Sequence, residues 1–165
     1  MSPIAFEIGN VVIYKYSICI LLAFVLGYFL ALFEAKRHKI TSSFISDFLF
    51  YLVPICIIGA RLYYVIFSFE DYKDSLIDIF KIWEGGMAIH GGVLFGLVFL
   101  IFYTKKHKIN TIKFMDIAAV SLVIGQAIGR WGNFFNQEAY GPITTLANLK
   151  SMHIPDFIID NMLIG

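Results

Sequence analysis

The reading of this chain turns on Ile117-Ala118-Ala119-Val120-Ser121-Leu122-Val123-Ile124-Gly125-Gln126-Ala127-Ile128, which runs straight into Gly129-Arg130-Trp131-Gly132-Asn133-Phe134-Phe135-Asn136-Gln137-Glu138-Ala139-Tyr140-Gly141. The first part carries no charge. The second brings an arginine, two asparagines, a glutamine, a glutamate, a tyrosine and three glycines into an apolar setting. A membrane helix does not need this polar set to stay in the membrane, and an intramembrane ionisable residue is a functional hypothesis by default. A guanidinium at the end of an apolar helix can grip a phosphate through two parallel hydrogen bonds, and nearby glycines let backbone approach the held group. The alternative for Arg130 is snorkelling to the interface.

Outward from this stretch, the composition points the same way. Of 165 residues, 59% are hydrophobic and only 15% charged, with mean hydropathy +0.77. That is too apolar for a soluble domain and excludes a disordered chain. The expected fold class is an all-α integral membrane protein, a polytopic helical bundle forming a single membrane domain over residues 1–165. Four spans are expected, at about residues 11–33, 44–67, 86–103 and 114–128, with 129–141 as a polar segment beyond the last. These lengths fit a hydrocarbon core of about 30 Å. Met1 to Asn10 contains Glu7 and no Lys or Arg. It lacks the basic start of a cleavable leader, so the first apolar run is expected to remain. Cys19 and Cys56 lie in apolar runs, at a spacing that fits neither a zinc site nor a disulfide framework; they read as packing or lipid-facing residues. No cofactor, metal or nucleic-acid partner is expected.

Charge placement gives an orientation. Lys36, Arg37 and Lys39 follow the first span, and Lys105, Lys106, Lys108 and Lys113 follow the third. Basic loops face the cytoplasm. The N-terminus, the acidic loop with Glu70, Asp71, Asp74, Asp78 and Glu84, and the segment 129–141 are then expected on the outer side.

Three more clusters fall on that side. Gly85-Gly86-Met87-Ala88-Ile89-His90-Gly91-Gly92 opens the third span. His90 can take a proton near neutral pH; alternatively it is satisfied by a neighbouring helix, and the glycines permit close packing at Gly92-xxx-Gly96 and Gly125-xxx-Gly129 spacing. Arg61, in Gly59-Ala60-Arg61, either snorkels or helps hold an anionic headgroup. Tyr14-Lys15-Tyr16 fits an interfacial aromatic belt. Together, Tyr16, Arg61, His90, Arg130, Asn133 and Glu138 describe a site for an anionic lipid. No Ser-His-Asp arrangement is present and both cysteines are remote from these motifs, so a nucleophile would arrive on a second substrate.

The Gly129–Gly141 stretch resembles the signature of the phosphatidylglycerol–prolipoprotein diacylglyceryl transferases, bacterial enzymes of the cytoplasmic membrane that start lipoprotein maturation. Gly86-Met87-Ala88-Ile89-His90-Gly91-Gly92 is similar to the family's histidine-glycine-glycine motif, and Gly59-Ala60-Arg61 and Tyr14-Lys15-Tyr16 follow in matching order. The resemblance implies transfer of the diacylglyceryl group of phosphatidylglycerol to the lipobox cysteine thiol in the signal peptide of a preprolipoprotein. It implies phosphate binding by Arg130, a headgroup site with Asn133, Glu138, Gly141, Arg61, Gly91 and Gly92, a functional Tyr16, and His90 as a candidate for deprotonating the thiol. It also implies a longer protein: family members carry further helices, one with a second important arginine, whereas Arg37, Arg61 and Arg130 are the arginines here. The chain is expected to correspond to the first half to two-thirds of such an enzyme, with its C-terminal helices absent. The competing readings are a non-catalytic protein that binds anionic lipid, part of a transporter, and a structural bundle. Transporters show paired repeats and helices broken near mid-bilayer, but the polar clusters here lie toward one face.

Overall fold

The computed structural model describes residues 3–9, 11–73 and 75–162. Expectations resting on Met1, Ser2, Asn10, Asp74 or the last three residues lie outside the described residues, as does anything about the side chains of Val11 and Glu84. Two short strands, β1 (Ile4–Ile8) and β2 (Val11–Tyr14), form an antiparallel hairpin. Four long helices follow: α1 (Lys15–Arg37), α2 (Ser42–Phe67), α3 (Ile89–Lys106) and α4 (Thr111–Asn136). Two short ones close the described chain, α5 (Leu146–Ser151) and α6 (Asp156–Met162). Among the described residues, the four long helices have the length and apolarity to cross a membrane. The chain is a multi-pass, all-α membrane protein. Its outward apolar side chains, such as Phe29, Phe50, Phe102 and Val123, are exposed as lipid contacts require.

The helix ends shift by up to a few residues from the sequence reading, and two differences are larger in kind. Val11–Tyr14, read as the start of the first span, pairs instead with Ile4–Ile8. A run of β-branched residues and a tyrosine suits a strand as well as a membrane entry, and Gly9, at φ +59, supplies the left-handed turn residue. The fourth helix does not stop at Ile128; it continues through Gly129 and Gly132 to Asn136, so most of the polar signature is helical.

The chain divides into two compact units. The first comprises Met1–Ala31 and Ala118–Gly165. Here α1 and α4 run antiparallel. Ser121 Oγ donates to the Gly27 carbonyl at 2.9 Å. A Cβ on Gly132 would lie 2.9 Å from Cδ2 of Tyr16 and 3.5 Å from Cβ of Cys19, so the absence of a side chain is what admits Tyr16. At its end, Asn161 of α6 is buried; it donates from Nδ2 to the Phe134 carbonyl at 2.7 Å and accepts on its backbone oxygen from Gln137 Nε2.

The second unit, Leu32–Ile117, centres on the antiparallel pair α2 and α3. Glycine makes their close approach possible. A Cβ on Gly91 would sit 2.2 Å from the Gly59 carbonyl oxygen, and one on Gly59 would sit 2.4 Å from Phe95. One turn along, Gly96 leaves room for Cys56 Sγ, 3.0 Å from where its Cβ would be. Between membrane helices such packing replaces the hydrophobic driving force that water would supply. At the far end Phe44, Phe48, Phe99, Tyr103 and Phe114 form an aromatic cluster, with ring centroids 4.9 Å apart for Phe48 and Phe114.

Candidate functional site

In the first unit, Arg130 projects from α4 and is exposed. Among the described residues its guanidinium makes no hydrogen bond or ion pair. All five of its N–H donors are therefore open to a ligand. Gly129 beside it faces open space, with nothing within 4 Å of an added Cβ. Gly125 is equally open, so the Gly125-xxx-Gly129 spacing marks no helix contact among the described residues. Tyr16 is half-buried against Gly132 on the same helix, and Lys15 lies 5.4 Å over the Phe135 ring. Tyr16 thus meets the signature through Gly132, a residue whose part in the site the sequence reading did not isolate.

The end of α4 has a specific form. Glu138 N donates to the Asn133 carbonyl at 2.9 Å, and Gln137 N to the Phe134 carbonyl at 3.2 Å. This is the paired closure of a Schellman motif, which places the residue after the cap in the left-handed region. That residue is Gln137, at φ +57. For a non-glycine this costs about 1–2 kcal/mol, and strained residues of this kind cluster at functional sites. Three other helices close in the same way, at Lys39, Lys108 and His153, and in each the next residue is an isoleucine: Ile40, Ile109 and Ile154. An apolar residue is usual there. The signature alone carries Glu138 at that place, exposed, and Ala139 follows at φ +54. The turn holds Glu138 at a fixed point one turn beyond Asn133, which is half-buried. Gly141 lies exposed with open space where a Cβ would be.

In the second unit, His90 sits in the first turn of α3 and is exposed. Its ring stacks on Tyr63, with centroids 6.2 Å apart and planes at 29°. Among the described residues its nitrogens have no hydrogen-bond partner, which leaves one able to accept a proton. Gly91 and Gly92 face α2: a Cβ on Gly92 would lie 3.3 Å from the Cys56 carbonyl oxygen. Both lie where α2 and α3 pack against each other.

Arg61 differs most from its sequence reading. It neither snorkels nor extends to a headgroup: it is 6% exposed, and each of its five N–H groups meets a backbone carbonyl. Nε donates to Ile79 at 2.8 Å, Nη1 to Gly85 at 2.6 Å and Gly86 at 2.9 Å, and Nη2 to Asp78 at 2.6 Å and Lys81 at 3.4 Å. Its guanidinium also lies 5.1 Å from the Tyr72 ring centroid. Asp78 and Ile79 lie in the short 3-10 turn Leu76–Phe80, Lys81 stands between it and the turn Ile82–Glu84, and Gly85 and Gly86 follow; the Asp78 carbonyl also accepts from Lys81 N at 3.2 Å. Gly86, at φ +70, is required: a Cβ there would sit 2.5 Å from Arg61 Nη1. Ala88 N then donates to the Ala60 carbonyl at 3.0 Å, so the chain enters α3 from a fixed point. On the same loop Lys81 pairs with Asp78 at 2.6 Å, and that hydrogen bond holds the Asp78 carboxyl below its usual pKa.

The fold defines a polytopic membrane protein whose α4 presents an arginine without a partner among the described residues. A family model described as "Prolipoprotein diacylglyceryl transferase" matches residues 3–161. The chain belongs to that family. It is 50% identical to a "Phosphatidylglycerol--prolipoprotein diacylglyceryl transferase" of Streptococcus suis strain 05ZYH33, over 99% of this chain and 60% of that protein. Proteins of the same name from Streptococcus equi subsp. zooepidemicus strain MGCS10565 and Listeria monocytogenes serotype 4b strain CLIP80459 are 47% and 45% identical, with 62% and 59% of their lengths covered. The chain thus spans about 60% of the length of these curated relatives.

Proposed function

We propose that this chain carries the phosphate-gripping part of a phosphatidylglycerol–prolipoprotein diacylglyceryl transferase in a bacterial cytoplasmic membrane. The observation that carries this reading is Arg130: an exposed guanidinium without a protein partner among the described residues, on the helix that bears the family signature. The positive-inside bias supports an outer-face location for the site.

The reaction joins the sulfur of a lipobox cysteine to the glyceryl carbon of the diacylglyceryl group. The carbon–oxygen bond to phosphate breaks, and glycerol phosphate leaves with the bonding electron pair. The thiolate is the reactive form, so the thiol proton must go to a base, and the open imidazole of His90 supports that role. Arg130 binds the phosphate and stabilises the charge that grows on it as it departs. Asn133, Glu138 and Gly141 shape the headgroup site, and Tyr16 braces the signature helix through Gly132. The nucleophile belongs to the protein substrate, consistent with two cysteines in this chain that are buried or half-buried.

The test is the intact mass of a lipobox peptide with a free cysteine, incubated with phosphatidylglycerol and the chain. A second sample contains the chain coexpressed with the part of the Streptococcus suis relative that the match leaves over. A gain of one diacylglyceryl group in either sample supports the reading. No gain in both contradicts it.

A further inference from the structure

The loop between α2 and α3 combines two properties that the transferase reading does not use. Its backbone is held from one side by Arg61, through five carbonyls between Asp78 and Gly86. Its other side shows large apolar side chains to the outside: Ile77 is 74% exposed, Phe80 77% and Trp83 77%. Their spacing is three. In a 3-10 helix, residues three apart eclipse one another, so Ile77 and Phe80 share one face of the Leu76–Phe80 turn, and Trp83 repeats the interval in the next turn. In water this arrangement would be a liability.

Both ends of the loop are ends of membrane-crossing helices, and both continue the apolar exposure. Phe67 at the end of α2 is 73% exposed and Ile89 at the start of α3 is 76% exposed. A loop tethered in this way lies at the membrane surface, where lipid is an apolar phase within its reach. Asp78 and Lys81, on and beside the first of these turns, are paired with each other. Tryptophan belongs at the depth of the headgroups.

We propose that Ile77, Phe80 and Trp83 form an interfacial foot that inserts into the adjacent lipid leaflet, and that Arg61 holds the backbone so that the three side chains enter together. The partner is the lipid surface itself. The inference stands apart from the transferase reading and would survive its failure.

The chain has two tryptophans, Trp83 and Trp131. In the Trp131→Phe variant, reconstituted in phosphatidylglycerol–phosphatidylcholine bilayers, Trp83 is the sole emitter. Its emission should be blue-shifted, quenched by lipid brominated near the headgroup end of the acyl chains, and protected from aqueous iodide. If that variant fails to fold, the difference between wild type and Trp83→Phe isolates the same signal. Arg61→Lys should lose most of the bromolipid quenching. Iodide quenching without bromolipid quenching overturns the foot, as does a signal that responds to an added lipobox peptide and not to brominated lipid. Unchanged quenching in Arg61→Lys overturns the holding role.

Discussion

Nη2 of Arg61 donates to the Asp78 carbonyl at 2.6 Å, across 17 residues of chain. With its four companion bonds, this contact makes a buried cation the fastener of a loop, whereas Arg130, in the signature, has no such partners among the described residues. The two arginines therefore answer differently to the same substitution. Arg61→Met leaves several carbonyls without donors, each at about 1–3 kcal/mol where it stays buried. Thermal unfolding in detergent should show a large loss, and amide exchange over residues 76–86 should accelerate. Arg130→Met should leave the unfolding midpoint nearly unchanged.

The glycines divide along the same line. Gly91→Ala drives a methyl toward the Gly59 carbonyl oxygen at 2.2 Å, and Gly86→Ala adds strain at φ +70. Overpacking of this kind costs about 1–3 kcal/mol, so both variants should melt earlier. Gly125→Ala meets open space within α4 and should be neutral or stabilising, by up to about 1 kcal/mol from helix propensity. A melting curve for each variant decides the matter.

Glu138 occupies a place that isoleucine fills at three other helix ends. Glu138→Ile should thus leave stability within about 0.5 kcal/mol of wild type, as surface changes usually do. Transfer to the lipobox peptide should nevertheless fall. Equal loss of stability and transfer would show that the glutamate is structural.

The loop between α2 and α3 should loosen in acid. Lys81 lowers the pKa of Asp78, so the contribution of this pair is present above the ordinary carboxylate pKa and disappears as pH falls through the lowered folded value. Amide exchange over residues 76–86, corrected for intrinsic rates, should rise on that descent. Asp78→Asn should remove the pH step.

The four spans were legible because each is a long window nearly free of charge, a property that any membrane helix must have. The hairpin was not, because Val11-Val12-Ile13-Tyr14 reads equally well as a strand or as the entry to a span. The signature stood out by its polar residues, but its helical extent was hidden by Gly129 and Gly132, which usually weaken a helix and here sit within one. The turn at Gln137 lacked the glycine that would announce it. The role of Arg61 left no trace at all, because its partners are backbone carbonyls, which every residue has.

The central claim is that Arg130 grips the phosphate with the planar fork of a guanidinium, and not by charge alone. The most direct measurement is the mass gain of the lipobox peptide with Arg130→Lys beside wild type, in whichever sample supports transfer. Loss of charge-assisted bonds worth about 1.5–3 kcal/mol should slow transfer by about ten- to a hundredfold, with an unchanged melting curve. Full transfer by Arg130→Lys would contradict the account and leave Arg130 as a snorkelling residue at the end of α4.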